Sequence, residues 1–165
     1  MQGRLVEQFK NKIQSFPMNN WKKEFELAND CDLKIIEWIF DENTPNPIMT
    51  SNGIQEIKQL MRKNDIEINT ICGDYFMIKK LFNESEIELE KNIETLKKLI
   101  IQANKLEISM IEIPLVDSSS LKNSKNEEQV RNSLEQVMLI AEQNNVTIVL
   151  ETDLNPQNFD EFLTK

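Results

Sequence analysis

Apolar positions along this chain alternate between two patterns, short β-branched runs and longer stretches with one apolar helical face. Residues 33–40 (LKIIEWIF) form a short apolar run that predicts a buried strand. Residues 52–63 follow, with Ile54, Ile57 and Met61 on one helical face. Residues 66–72 (IEINTIC) predict a second strand. Residues 84–105 predict a long helix whose stripe is Leu89, Ile93, Leu96, Ile100 and Ala103. Residues 108–116 (ISMIEIPLV) read as a third strand. Residues 126–143 read as a helix carrying Val130, Leu134, Val137 and Ala141 on its face. Residues 146–151 (VTIVLE) predict a fourth strand, and residues 156–163 a helix capped by Asn155 with Pro156 in its first position. Ahead of the first strand, Trp21, Phe25 and Ala28 mark the face of another helix.

Strands and helices alternating at this spacing imply βαβ units and a parallel sheet, with right-handed crossovers placing the helices outside it. The expected class is therefore α/β. The 165 residues, 39% apolar and 28% charged, suit one soluble domain, residues 1–165. The formal net charge of −9 disfavours a nucleic-acid partner, because an acidic surface repels phosphate backbones. No run of 18 apolar residues is present, so no membrane partner is expected. The start, MQGRLVEQFKNK, has no apolar signal-peptide core. Cys31 and Cys72 form no CxxC pair, which fits a reducing, cytoplasmic setting. The sequence contains no His, which removes His-based triads and His–metal sites from these residues.

One spacing carries chemistry. Glu37, Asp74, Glu112 and Glu151 lie 37, 38 and 39 residues apart in succession, each at or just past the end of a predicted strand. Strand alternation groups Glu37 with Ile35 and Ile39, Glu112 with Met110, and Glu151 with Val149. Asp74 extends the series Ile68, Thr70, Cys72. Ligands bind at the C-terminal strand ends of such folds, and converging carboxylates gain from a cation or a polyhydroxyl ligand. The alternative is that these acids cap helices or pair with surface cations. Trp38 and Phe40, opposite Glu37 in parity, read as core. Tyr75, Phe76 and Met77 either wall a pocket or pack, and Cys72 reads as a small buried apolar residue. Asp117 and Ser118–Ser120 either bind hydroxyls or cap a helix.

Several segments, in order, resemble sugar-phosphate isomerases and epimerases with a xylose-isomerase-like TIM barrel. They are residues 2–5 (QGRL), 12–17 (KIQSFP), 36–41 (IEWIFD), 71–77 (ICGDYFM), 111–117 (IEIPLVD, running on into SSSLK) and 150–154 (LETDL). The resemblance implies an incomplete (β/α)8 TIM barrel, about strands two to five plus the end of strand one, since a full barrel takes about 250 residues. It makes Glu151 a metal ligand and one of a catalytic glutamate pair. It also implies a divalent metal (Mn, Mg, Co or Zn), completed by ligands from later strands. The substrate implied is a small sugar or sugar phosphate, transformed through an enediolate. Arg4, in QGRL, is then a candidate for substrate binding, with Glu37, Asp74 and Glu112; Lys12 reads as solvated surface. A non-catalytic barrel remnant that self-associates, giving a homo-oligomer, is the rival expectation. A metal-dependent nuclease on the same barrel, the second rival, would need several His ligands and a basic groove; the lack of His and the net charge of −9 both argue against it.

Overall fold

The structure, a computed structural model, describes residues 5–7, 14–43 and 45–164. The elements run α1 (Trp21–Asp30), β1 (Ile35–Ile39), α2 (Ser51–Asn64), β2 (Glu67–Cys72), α3 (Tyr75–Ile78), α4 (Glu86–Lys105), β3 (Met110–Leu115), α5 (Ser124–Gln143), β4 (Thr147–Thr152) and α6 (Pro156–Thr164). The four strands pair in chain order, β1-β2-β3-β4, and every pair is parallel. Each expected strand and long helix is present, with ends shifted by a few residues. This is a partial (β/α)8 barrel: a curved parallel sheet with helices layered on one side.

Each helix forms for a local reason. Thr50, Ser85, Asn123 and Asn155 accept from the backbone N–H three residues on, at 2.9–3.3 Å, and so cap α2, α4, α5 and α6. Their apolar stripes meet the strands in one core. Ile111 and Ile113 of β3 and Leu96, Leu99, Ile100 and Ala103 of α4 are fully buried. Full burial of one such Ile or Leu side chain stabilises by roughly 1.5–3 kcal/mol. Phe16, Trp21 and Trp38 pack in tilted and edge-to-face pairs at ring distances of 5.0–6.3 Å and close the β1 end of this core.

Four helix-to-strand turns share one design. Leu33, Ile66, Ile108 and Val146 each return their N–H to the carbonyl five residues earlier, at 2.9–3.0 Å. The residue before each is Asp32, Asp65, Glu107 or Asn145, all at φ 53–61°. This is the left-handed helix terminus usually made by Gly, followed by an apolar residue that seals the turn. The chain has 3 glycines and builds these turns without them.

One register detail departs from simple alternation. Ile36 pairs with Ile68, but Trp38 pairs with Ile71, so β2 carries one extra residue there. That bulge turns Ile68 to the helix side with Ile71. Ile68 therefore does not share a face with Thr70, Cys72 and Asp74, contrary to strict period-2 counting.

Candidate active site at the strand ends

The C-terminal ends of β1, β2 and β3 are stitched together beyond their regular ladders. Phe40 donates its N–H to the Cys72 carbonyl at 2.8 Å, Tyr75 to the Phe40 carbonyl at 2.8 Å, and Gly73 to the Glu112 carbonyl at 2.9 Å. A Cβ on Gly73 would stand 2.7 Å from that Glu112 oxygen, so only Gly lets the two strand ends approach this closely. Just past β1, buried Asp41 accepts the N–H of Phe16 at 2.9 Å, and the N–H and side-chain amide of Asn43 at 2.9 and 2.6 Å. Asp41 thereby fastens the segment that carries Gln14 over the end of β2.

Cys72 lies at the centre of the inner face. Its Sγ is 3.3 Å from Asp74 Oδ1 and 3.6 Å from Glu112 Oε1. The Gln14 side-chain amide donates to Asp74 Oδ1 at 3.2 Å and to Cys72 Sγ at 3.3 Å. Burial, then the charge of Asp74, pushes the Cys72 thiol far above its ordinary range, so it is a thiol and not a nucleophilic thiolate. Burial raises the Asp74 carboxyl above its usual value; hydrogen bonds from Cys72 and Gln14 oppose this, and the charges of Asp41 and Glu151 add to it. Burial also raises Glu112, and the charges of Glu37 and Glu151 push it further.

The four acids thus act on one another across one face, though only Asp74, just past β2, and Glu151, near the end of β4, lie at strand ends; Glu37 and Glu112 project from within β1 and β3. Glu37 and Glu112 are half-buried, whereas Glu151, on β4, is exposed. None of the ion pairs among the described residues involves Glu37, Asp74, Glu112 or Glu151. Asp74 precedes α3, but its side chain makes no capping bond. The cap-or-surface-pair alternative therefore does not describe Asp74 or Glu112. Arg4 and Lys12 lie outside the described residues. Glu24 holds the chain beside Arg4: buried on α1, it accepts the N–H groups of Leu5 and Val6 at 3.3 and 3.1 Å.

A hollow of about 160 Å³ opens beside this cluster, lined by Gln14, Asp41, Glu42, Asp74, Met77, Ile78 and Ser118. Met77 and Ile78 belong to α3, too short to show a helical period in sequence, whose Phe76 packs inward against Phe40. Trp38 and Phe40 are core, as expected. Asn123, not Asp117 or Ser118–Ser120, caps α5; Ser119 instead donates to the Pro114 carbonyl at 2.7 Å. Gln14 and Asp41 escaped notice as site residues, although both lie within matched segments, KIQSFP and IEWIFD. A larger hollow of about 430 Å³, near Lys58, Arg62, Asp65, Glu67 and Glu107, lies at the opposite, N-terminal end of β2, away from the carboxylates.

Among the described residues no three His, Cys, Asp or Glu side chains are arranged to hold a metal ion. The described residues therefore do not complete a metal centre. No helix among them is long and apolar enough to cross a membrane.

A parallel α/β sheet with its strands in chain order and its helices on one side defines a barrel-type domain, a class whose ligands bind at the C-terminal strand ends. More narrowly, the chain belongs to the xylose isomerase-like TIM barrel family, whose model matches residues 25–163. Among solved structures, a D-psicose 3-epimerase with D-tagatose from Clostridium cellulolyticum H10 is 20% identical, with a TM-score of 0.68, covering 88% of this chain and 54% of that one. A xylose isomerase-like TIM barrel protein from Mycobacterium smegmatis in complex with magnesium is 13% identical, with a TM-score of 0.68, covering 90% and 53%. The 3-keto-D-glucoside 4-epimerase of E. coli, in apo form, is 16% identical, with a TM-score of 0.63, covering 85% and 53%. At these identities the likeness is one of fold, and the chain spans about half the length of each structure. No curated protein matches the chain.

Proposed function

We propose that this chain supplies one half of the active site of a sugar or sugar-phosphate isomerase or epimerase, with residues 1–165 forming an incomplete barrel. The observation that supports it is the placement of Glu37, Asp74, Glu112 and Glu151 on one face of the sheet, with Glu112 in the field of the other three. Carboxylates arranged in this way accept hydrogen bonds from sugar hydroxyls, and one can act as a base. Glu151 is the proposed base, being the exposed member. It takes the proton from the carbon beside the substrate carbonyl. The C–H electron pair becomes the C=C bond of an enediolate, and the carbonyl oxygen takes the negative charge. Return of a proton to the opposite face of the same carbon, with the oxyanion collapsing to the carbonyl, gives the epimer; return to the former carbonyl carbon, with the proton of the neighbouring hydroxyl passing to the oxyanion, gives the isomer. Glu37, Asp74 and Glu112, with Arg4, are proposed to hold the substrate. Glu151 would also be one ligand of a divalent cation whose other ligands lie outside the described residues.

The test is a chimera that joins residues 1–165 to the C-terminal half of a solved epimerase barrel. Its folding is checked by circular dichroism and gel filtration. The chimera is expected to exchange deuterium from D2O into a ketose or ketose phosphate, and Glu151→Gln is expected to lower the rate by at least about a thousandfold. A folded chimera that exchanges nothing, or one indifferent to Glu151→Gln, sinks the reading.

A self-associating remnant is the second reading. It is favoured by the incomplete ligand set and by apolar Ile35 and Val149, 47% and 36% exposed on the inner face. A face-to-face dimer would oppose two sets of carboxylates, so its affinity should fall as pH rises. Sedimentation equilibrium of the 165-residue chain at two pH values decides this.

A further inference from the structure

Helix α2 carries charge on two sides, and the two are built differently. Toward α1 the charges are paired: Lys22 of α1 meets Glu56 of α2 at 3.0 Å, and Lys63 of α2 meets Glu26 of α1 at 3.1 Å. Lys58 and Arg62, one turn apart and so on one face of α2, instead line the hollow of about 430 Å³ at the N-terminal end of β2. Two acids line it as well, Glu67 at the start of β2 and Glu107 just after α4. None of these four side chains makes an ion pair or a hydrogen bond among the described residues. The third acid of the wall, Asp65, is taken by Lys34 at 3.0 Å.

Opposite charges that line one hollow without meeting leave a gap that a ligand can span. A simple anion gains from Lys58 and Arg62 but faces two carboxylates, and a simple cation faces the reverse. A ligand with one group of each sign satisfies both sides. Between the charges, Met61, Ile68 and Leu106 supply an apolar stretch. Asn69, half-buried in the β2 bulge, adds a side-chain amide whose donors and acceptor are unused. The volume lies within the roughly 300–1,000 Å³ of small-molecule sites, and a lone inorganic ion would leave most of it to water.

We propose that this hollow binds a small zwitterion with an apolar body, of the class of an α-amino acid or a short peptide. Its carboxylate pairs with Lys58 and Arg62, its ammonium group with Glu67 and Glu107, and its body lies on Met61, Ile68 and Leu106. The site stands at the other end of β2 from Cys72 and Asp74, so it does not depend on the isomerase reading. A free amino acid and a dipeptide share this chemistry and differ in length, which the experiment separates.

The experiment is an NMR titration of the isotopically labelled 165-residue protein, following the amide signals of Asn69 and Glu107. The probes are L-leucine and L-leucyl-L-leucine, each also in its N-acetyl form, which lacks the positive charge, and as its C-terminal amide, which lacks the negative one. At least one free zwitterion is expected to shift both signals and to bind about tenfold more tightly than either of its blocked forms. A tighter fit for leucine assigns the hollow to a free amino acid, and a tighter fit for leucyl-leucine assigns it to a peptide. Arg62→Ala, at an exposed position with little effect on the unfolding midpoint, should weaken the zwitterion about tenfold. Glu67→Gln with Glu107→Gln should abolish the preference for the free zwitterion over its N-acetyl form. Asp74→Asn, at the other end of β2, should leave the binding unchanged. Silence toward both zwitterions up to about 10 mM overturns the proposal. So does a blocked form that binds as tightly as the free one, binding indifferent to Arg62→Ala, or binding lost in Asp74→Asn.

Discussion

The two faces of the single sheet are built on opposite principles. The helix-facing side carries Ile36, Ile68, Ile71, Ile111, Ile113 and Leu115, all buried against one core. The inner side carries Glu37, Thr70, Cys72, Glu112 and Glu151, together with partly exposed Met110 and Val149. On the first face every side chain gains from leaving water. On the second, burial raises Asp74 and Glu112 above their ordinary range, a cost to the folded state at neutral pH. One strand supplies both. Along β3, Ile111 and Ile113 anchor the core while Glu112, between them, meets Cys72 across the sheet. Stability and chemistry are thus separated by strand parity rather than by region of sequence.

The largest test of this contrast compares one truncation on each face. Ile113→Ala, on β3 and fully buried, removes packed methyl groups and leaves a cavity, at a cost of about 2–5 kcal/mol. Val149→Ala, on the inner face, should change stability by no more than about 0.5 kcal/mol. Urea unfolding of both variants measures the difference. Equal losses would mean that the inner face is packed in solution, as a tightly self-associated form would require.

Next in size is the pH dependence. Asp74 and Glu112 have raised folded-state values, so the folded protein retains their protons to higher pH than the unfolded chain does. Where the folded state binds more protons, stability falls as pH rises. The decline begins in the ordinary carboxylate range and ends above the raised values; partial exposure of both groups screens it. Asp74→Asn with Glu112→Gln should flatten the urea midpoint against pH from the ordinary carboxylate range, about 4, upward. Glu24 is raised in the same direction, but it is shared by both proteins and cancels in the comparison. An unchanged slope in the double variant would show that the inner-face acids are solvated and carry no strain.

The same contrast explains what could be read in advance. The helix-facing side was legible because it is periodic: Leu96, Ile100 and Ala103 on α4, and Ile111 and Ile113 on β3, announce their partners by spacing alone. The acid ladder was legible because near-equal βαβ units bring each strand end round at near-equal intervals. Four features were not. The β2 bulge adds one residue and moves Ile68 to the other face, with no local signal in IEINTIC. α3 is one turn long, too short for a period. Gln14 reaches Asp74 across 60 residues of chain from a segment with no regular structure, a contact that only the assembled fold defines. The helix-to-strand turns were missed for a chemical reason: Gly marks such turns, and Asp32, Asp65, Glu107 and Asn145 occupy them instead.

Those turns give the smallest and sharpest test. They set where each strand begins, so they serve both faces at once. Glu107 holds φ at 61° between α4 and β3, a conformation that costs a residue with a Cβ about 1–2 kcal/mol. Replacing it with Gly removes that cost but adds backbone freedom to the unfolded chain, worth roughly 0.5–1 kcal/mol in the other direction. The net expectation for Glu107→Gly is a gain of about 0.5 kcal/mol. Glu107→Ala retains the Cβ and should give no gain. Thermal and urea unfolding of the pair would distinguish them. If Glu107→Gly destabilises the protein, the Glu107 side chain is itself holding the turn. If both variants are neutral, the Ile108 N–H bond to the Ala103 carbonyl, 3.0 Å long, does not limit stability, and the start of β3 is set instead by the buried Ile108 and Ile111 side chains.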